Sequence, residues 1–428
     1  MREKMKIAII GCGRFSQFFV PLFKLHPVVE EVYVCDIRRE RAEEYAQRFG
    51  VKVIDSFEEA LASDKINSVA IFTQRFAHGK MVIQTLKAGK HVYSAVPCAI
   101  DIDEIREIEE LVRKTRLTYS MGETGYYRSA VLFCRREFQK GTFGKFVYGE
   151  AQYNHDIRNM EQSFRSSGGE DWKRFAGIPP MYFPTHSTSC ILSTMPGVYA
   201  TKVMALGYKD VTRPDIYGTN GVNNYDNPFG NTAMLIELSN GGVARISENR
   251  CLGWRAPETY ISQFYGTDGG YEFSVARHHL ATWDPNKAGR VIMRDVTEEL
   301  QPRIVSKMLK EDYDTTIQAL ANGENIFEQP DKPDDETDIH GAAPIHPLDR
   351  LPESYKAVRS GHNGTHKFMI DDFCRAYETG KLSPTNIWVA ARFNIPGLLA
   401  HQSAMQGGVT IDIPDLGNPP EDWEILWE

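Results

Sequence analysis

The stretch from Lys6 to Asp36 narrows what the first part of this chain can become. An apolar run, Ile7-Ala8-Ile9-Ile10, leads into Gly11-Cys12-Gly13-Arg14-Phe15-Ser16. A helix-like segment, Gln17 to Leu25, and a second strand, Val32 to Cys35, follow and end on Asp36. Such a strand-turn-helix offers backbone N–H groups to a pyrophosphate, and only residues without a Cβ let that group come close. Gly11 and Gly13 are expected to supply the approach, and Ser16 stands where a third small residue packs helix on strand. Asp36 falls about 20 residues after the turn, where a carboxylate accepts the hydroxyls of an adenosine ribose. Strand, turn, helix and acid agree on a dinucleotide. Asp36 favours NAD over NADP because it would repel a 2′-phosphate, while Arg38 and Arg39 beside it keep NADP open. Arg14 and Phe15 of the turn, and Thr73 at the end of the fourth strand, complete the cofactor residues expected from the pattern.

Alternation of strands and helices continues. Arg39 to Gly50 has helical periodicity, Val51 to Ile54 is a short strand, and Ser56 with Glu59 forms a capping box. Ser68 to Thr73 and His91 to Tyr93 are strands, with a helix from His78 to Ala88 between them. A helix capped by Asp101 or Asp103 runs through Lys114, and Thr118 to Met121 is the last strand of the series. The predicted fold is therefore an α/β Rossmann domain, a doubly wound parallel sheet, over residues 1–125. Beyond it, Phe146 to Tyr153 and Thr232 to Ser247 alternate as strands of a one-faced sheet, with Asn240-Gly241 as a hairpin turn, and Tyr260 to Gly266 and Tyr271 to Phe273 continue the pattern. Helices are expected at Phe133 to Lys140, Lys367 to Thr379 and Ile387 to Ala404. Residues 126–428 thus read as an α+β domain with a large, mostly antiparallel sheet, with a surface excursion at 330–349.

At 428 residues the chain exceeds what one core usually serves, which agrees with two domains. A net charge of −8 without clustered Lys and Arg argues against a nucleic-acid or anionic-membrane partner. Seven cysteines without paired spacing point to a reducing compartment. No run approaches the ~18 to 20 apolar residues of a membrane span, and a cytoplasmic location is expected. A resident metal is not expected: His278-His279 sit at adjacent strand positions, and no three-ligand spacing occurs.

Taken together, Ile7 to Ser16, Asp36, Gly89-Lys90-His91-Val92 with Pro97, and Gly361-His362-Asn363-Gly364 through Ala400-His401-Gln402-Ser403 resemble the Gfo/Idh/MocA group of NAD(P)-dependent sugar and inositol oxidoreductases. That family usually carries Glu-Lys-Pro after the fifth strand, with the lysine as proton relay. The same positions here read Ala95-Val96-Pro97. Tyr153-Asn154-His155-Asp156-Ile157-Arg158 and Phe183-Pro184-Thr185-His186 are similar to motifs of the family's NAD-dependent glycosidase branch, exemplified by α-N-acetylgalactosaminidases, which lacks the lysine as well.

The resemblance implies His186 and His155 as acid/base residues, with Tyr182, one position before that branch's tyrosine, as a third catalytic candidate. Tyr127, Asp156, Arg158 and His362 become candidates for substrate contact, and His78 and Pro97 for the nicotinamide end of the cofactor. Each has a plainer alternative: His186 a helix start, His155 a partner of Asp156, Arg158 a surface ion pair, His362 a turn residue, His78 helix packing. A sugar or glycoside is the implied substrate, and a homodimer or homotetramer through the outer face of the large sheet the implied assembly. Three functions follow for carbohydrate metabolism: redox-neutral glycosidic cleavage through a 3-keto sugar, ordinary sugar or polyol dehydrogenation, or a non-catalytic NAD(H) sensor.

Overall fold

Parallel pairing of short apolar strands builds the first sheet. Its strands are β1 (Met5–Ile10), β2 (Val29–Cys35), β3 (Lys52–Val53), β4 (Ser68–Ile71), β5 (His91–Ala95) and β6 (Tyr119–Gly122). They lie in the order β3-β2-β1-β4-β5-β6, so the strand order reverses between β1 and β4. A ligand crevice outside the carboxyl ends of the strands is the general consequence of that reversal. The structure is a computed structural model and describes residues 2–252, 260–274, 277–287, 289–301, 341–358 and 362–426.

The first sheet's burial is near complete, as a sheet covered on both faces requires: Ile7, Ala8, Ile9, Val69, Ala70, Ile71 and Val92 have no exposed surface. Ser56 caps the helix Phe57–Ala62 by accepting from the Glu59 N–H, as foreseen in the sequence, while the Glu59 carboxylate accepts from the Asp55 N–H, one residue before the cap. Lys90 is buried and donates to the Ser63 and Ile66 carbonyls, so that lysine secures the chain entering β4.

The Cα packing divides the chain into two units. The first comprises 1–124, 347–394 and 416–428, the second 125–346 and 395–415. The expected boundary near 125 coincides with the first cut, but two later stretches join the first unit instead of the second. The reason is packing that sequence order does not carry. The helix Thr365–Thr379 sets Phe373 against Tyr93 and Phe23, and Tyr377 against His91 and the Glu3 carbonyl.

The second unit holds β7 (Phe146–Asn154), β8 (Ala200–Lys209), β9 (Phe229–Leu238), β10 (Val243–Asn249), β11 (Tyr260–Gly266), β12 (Gly269–Ser274), β13 (Arg277–Trp283), β14 (Val291–Asp295) and β15 (Ile411–Asp412). They form a nine-stranded sheet in the order β14-β13-β12-β11-β7-β10-β9-β8-β15. All pairs are antiparallel except β7 with β10. Asn240-Gly241 turns the β9–β10 hairpin as expected, Gly241 at φ +85° and the Asn240 carboxamide accepting from the Gly242 N–H. The short helix Thr185–Leu192 packs across β7, β10 and β11. His278 and His279 fall on opposite faces of β13, and the buried His278 bonds to the Tyr271 hydroxyl. Of the expected excursion at 330–349, residues 330–340 lie outside the described residues. Among the described residues, no helix is long and apolar enough to cross a membrane.

One residue ties the first unit's turn, strands and late helix together. Phe19 is fully buried, with its ring 4.8 Å from Phe72, 6.1 Å from Tyr93 and 4.5 Å from His366. Phe19→Ala is expected to cost about 3–5 kcal/mol in chemical denaturation of the first unit, because the surrounding rings close a cavity poorly.

Candidate functional site

In the first unit the glycine turn is built as the chemistry requires, with the two glycines doing different work. Gly11 has φ +101°, and a Cβ there would lie 2.7 Å from the Phe72 carbonyl oxygen, so β4 itself excludes a side chain. Gly13 meets nothing within 4 Å, leaving open space at the turn. Ser16 is buried and its hydroxyl donates to the Gly13 carbonyl at 3.0 Å, as does the Tyr45 hydroxyl. Sequence reasoning did not single out Tyr45. The segment after the turn differs from the continuous helix expected from Gln17. A 3-10 turn, Ser16–Phe18, comes first, and the α-helix runs only over Val20–Leu25, with Pro21 in its first turn.

Asp36 ends beside that turn. Its two oxygens accept from the Cys12 N–H at 2.8 Å and the Arg38 N–H at 2.9 Å. A carboxylate offers about four acceptor positions, so two remain for ribose hydroxyls. Ile37 is fully exposed, an apolar side chain left in water next to the acid. Arg14 and Phe15 are exposed on the turn. An open glycine turn, a carboxylate with spare lone pairs and an uncovered apolar side chain together fit an adenosine pyrophosphate.

At the far strands, buried His78 bridges Thr73 and Pro97: Nδ1 lies 2.8 Å from the Pro97 carbonyl and Nε2 3.1 Å from that of Thr73. Burial holds its protonation below the usual range despite the two carbonyls. His78 therefore fastens the ends of β4 and β5. Glu123, just past β6, is fully buried, a carboxylate at a strand's carboxyl end that sequence reasoning passed over. His362 lies in this unit, on an exposed turn at φ +54°, with its ring 6.2 Å from Phe15 and 4.7 Å from His366. The sequence reading had put it in the second domain.

The second unit gathers the acid/base candidates. Strand register sets Glu248 of β10, Tyr153 of β7 and Tyr260 of β11 in one row across the sheet. His186 and Ser187, in the first turn of the helix Thr185–Leu192, lie over that row. The His186 ring is 4.8 Å from Tyr153 and 5.8 Å from Tyr260. His155 follows two residues after Tyr153, and its Nδ1 is 2.5 Å from the Tyr153 hydroxyl. The structure thus brings His155 and His186 together around a tyrosine. Tyr153 stood in the quoted motif but was not named as a functional residue.

Charge surrounds these rings. The buried Arg250 guanidinium stands 4.7 Å from the Tyr153 and Phe183 ring centres and donates to Glu248 at 2.8 Å. Glu248, fully buried, also accepts from the Ser187 hydroxyl; burial pushes it up to about 7, against the pull of Arg250 and Ser187. Arg128 lies 3.7 Å over Tyr260. The signal for Glu248 was present in β10, where it shares the buried alternation of Ala244 and Ile246.

Other candidates stand elsewhere. Asp156 caps the helix Ile157–Gly168 and accepts from the Arg158 side chain at 2.7 and 2.9 Å and from the Leu252 N–H at 3.1 Å. Burial would raise its carboxyl, but these bonds hold it below the usual range. Arg158 is correspondingly engaged with Asp156. Tyr182 rings with Tyr225 at 6.1 Å and His401 at 5.2 Å, while Phe183 takes the place under Arg250. Tyr127 is a fully buried core residue whose carbonyl lies 2.8 Å from the His346 Nε2.

Residues 5–123 match the Gfo/Idh/MocA family, described as an oxidoreductase family with an NAD-binding Rossmann fold. A glycosyl hydrolase family 109 protein of Solibacter usitatus is 23% identical over 436 residues, 96% of this chain and 88% of the relative. One from Saccharopolyspora erythraea is 24% identical, and the aligned stretch spans 64% of its length. An α-N-acetylgalactosaminidase of Bacteroides fragilis is 28% identical over 42% of this chain and 46% of its own. Among solved structures, levoglucosan dehydrogenase in complex with NADH and levoglucosan superposes with a TM-score of 0.69 at 16% identity, covering 96% of this chain and all of the other. The resemblance read from the sequence is borne out: the first unit matches the NAD-binding Rossmann model of this oxidoreductase family, and the relatives carry glycosidase names.

Gly11→Ala is expected to weaken NADH binding at least tenfold in a fluorescence titration, since the added Cβ meets the β4 carbonyl in a conformation alanine rarely adopts.

Proposed function

We propose that this chain cleaves a glycosidic bond without net oxidation, by transient oxidation of the sugar at C3. When bound, NAD supplies a hydride acceptor that is regenerated at the end of the cycle. The remaining work is proton transfer, and the chain's own residues carry it. His186 takes the C3 hydroxyl proton, a role for which an imidazole is the commonest general base. With C3 as ketone, the C2 proton is acidic. The Tyr153–His155 pair removes it, because a phenol bonded to an imidazole passes its own proton on and can act as base near neutrality. The electron pair left at C2 expels the C1 substituent, which departs with a proton. Water adds at C1, C2 regains a proton from the same pair, and reduction at C3 completes hydrolysis.

The observation that carries this reading is the grouping of two imidazoles on one tyrosine, in a chain whose position 96 holds a valine where a lysine relay would stand. The names of the glycosidase relatives support it. NAD is preferred over NADP because Asp36 would repel a 2′-phosphate. The same reading takes the chain to be a homo-oligomer, supported by the exposed Val147, Met204, Leu206, Leu235 and Val243 on neighbouring strands of the second sheet.

Incubating a panel of glycosides in deuterated water with catalytic NAD is expected to give free sugar labelled at C2 with no accumulating NADH. Steady NADH growth without cleavage would instead mark an ordinary dehydrogenase. His186→Ala and Tyr153→Phe are each expected to lower kcat by about 10²–10⁴ while leaving NADH binding within twofold. Unaltered rates in both would leave the NAD(H) sensor.

A further inference from the structure

Glu248 is a fully buried carboxylate of the second unit, and the chemistry proposed above does not use it. Its carboxylate has no exposed surface, and a buried charge persists only where partners offset its lost hydration. The partners come from every element around it. Arg250, two residues on along β10, donates Nη2 at 2.8 Å. Ser187, on the helix Thr185–Leu192, donates its hydroxyl to the other oxygen, and His186 of the same turn is close enough to favour the ionised carboxylate. Tyr153 lies in register on β7, with Tyr260 beyond it on β11. On the other side Thr232 of β9 lies in register, and its buried hydroxyl has no hydrogen-bond partner.

These contacts form two arms. One runs through Ser187 to the helix turn that presents His186. The other runs through Arg250, whose guanidinium lies over the same Tyr153 ring that His186 and His155 contact. We propose that Glu248 is a positioning residue for this site, holding the His186 turn through Ser187 and balancing the Arg250 charge so that His186 can accept a proton. The inference rests on the reading of His186 as an acid/base residue, yet it concerns an interaction present before any substrate binds.

Electrostatics give the sign. An ionised Glu248 offsets Arg250 and favours the imidazolium, whereas a neutral side chain leaves the guanidinium alone to oppose it. The carboxylate, pushed up to about 7 by burial, changes charge in the range where an imidazole titrates, so the two groups share their proton uptake.

The test is the His186 titration followed by NMR of the ring protons in the full-length protein, which needs no turnover. Glu248→Gln keeps the shape and the bond to Ser187 but removes the charge. It is expected to lower the His186 midpoint by about one pH unit, with NADH binding unchanged as a check on folding. Ser187→Ala keeps the charge and cuts one arm, and is expected to move the midpoint by less than half as much while broadening the ring signals. A His186 midpoint that is the same in wild type and Glu248→Gln would overturn the proposal, even if glycoside cleavage were established. A lowered midpoint in a protein inactive on every glycoside would uphold it and remove only the assigned reaction. Should Glu248→Gln fail to fold, Glu248→Asp keeps the charge but draws it back from Ser187, and is expected to broaden the His186 ring signals; signals as sharp as those of wild type count against the idea.

Discussion

The missing Cβ of Gly11 is the constraint on which the first unit depends. β1 leaves the sheet at that residue, its N–H bonded to the Cys35 carbonyl of β2, while the Phe72 carbonyl after β4 closes in from the other side. Three strands therefore converge on one backbone atom, at the point where the strand order reverses. A side chain would push β4 away and take with it Phe72, whose ring packs on Phe19. Asp36 depends on the same convergence, since it reaches the Cys12 N–H only because β2 ends beside the turn. Loop, ribose acid and aromatic core form one construction, and no part of it tolerates displacement of another.

In the second unit the corresponding constraint is a buried ion pair. Glu248 and Arg250 are both withdrawn from water, which is expensive unless each finds further partners. The partners recruited are the serine of the His186 turn and the faces of Tyr153 and Phe183. Packing a charge pair beneath these rings gives up stability relative to an apolar core. In exchange, orientation is set by hydrogen bonds, whose directionality apolar contacts lack.

The residues that departed from expectation did so for local reasons. Asp156, read as a partner for His155, also caps a helix start and accepts from the Arg158 side chain. Tyr182 missed the cluster because its place is filled by Phe183, whose ring lies under Arg250. The helix after the glycine turn began late because Pro21 suits a first turn and no interior. His362 and His366 joined the first unit because a helix with buried Phe373 and Tyr377 packs as a Rossmann helix does, whatever its distance along the chain.

The amino-acid order alone determined what rests on short-range rules: the alternation of strands and helices up to residue 124, the Gly11 turn, the Asp36 terminus, the Ser56 cap and the Asn240-Gly241 hairpin. Each is decided within a few residues by dihedral preference, burial period or a capping bond. Strand register and long-range packing decided the rest. Whether Glu248, Tyr153 and Tyr260 share a row depends on how three strands far apart in sequence slide against one another, and a slip of one residue would turn every one of them to the opposite face. That register is set by the whole buried face of the sheet, so no local pattern around Glu248 could have announced its neighbours.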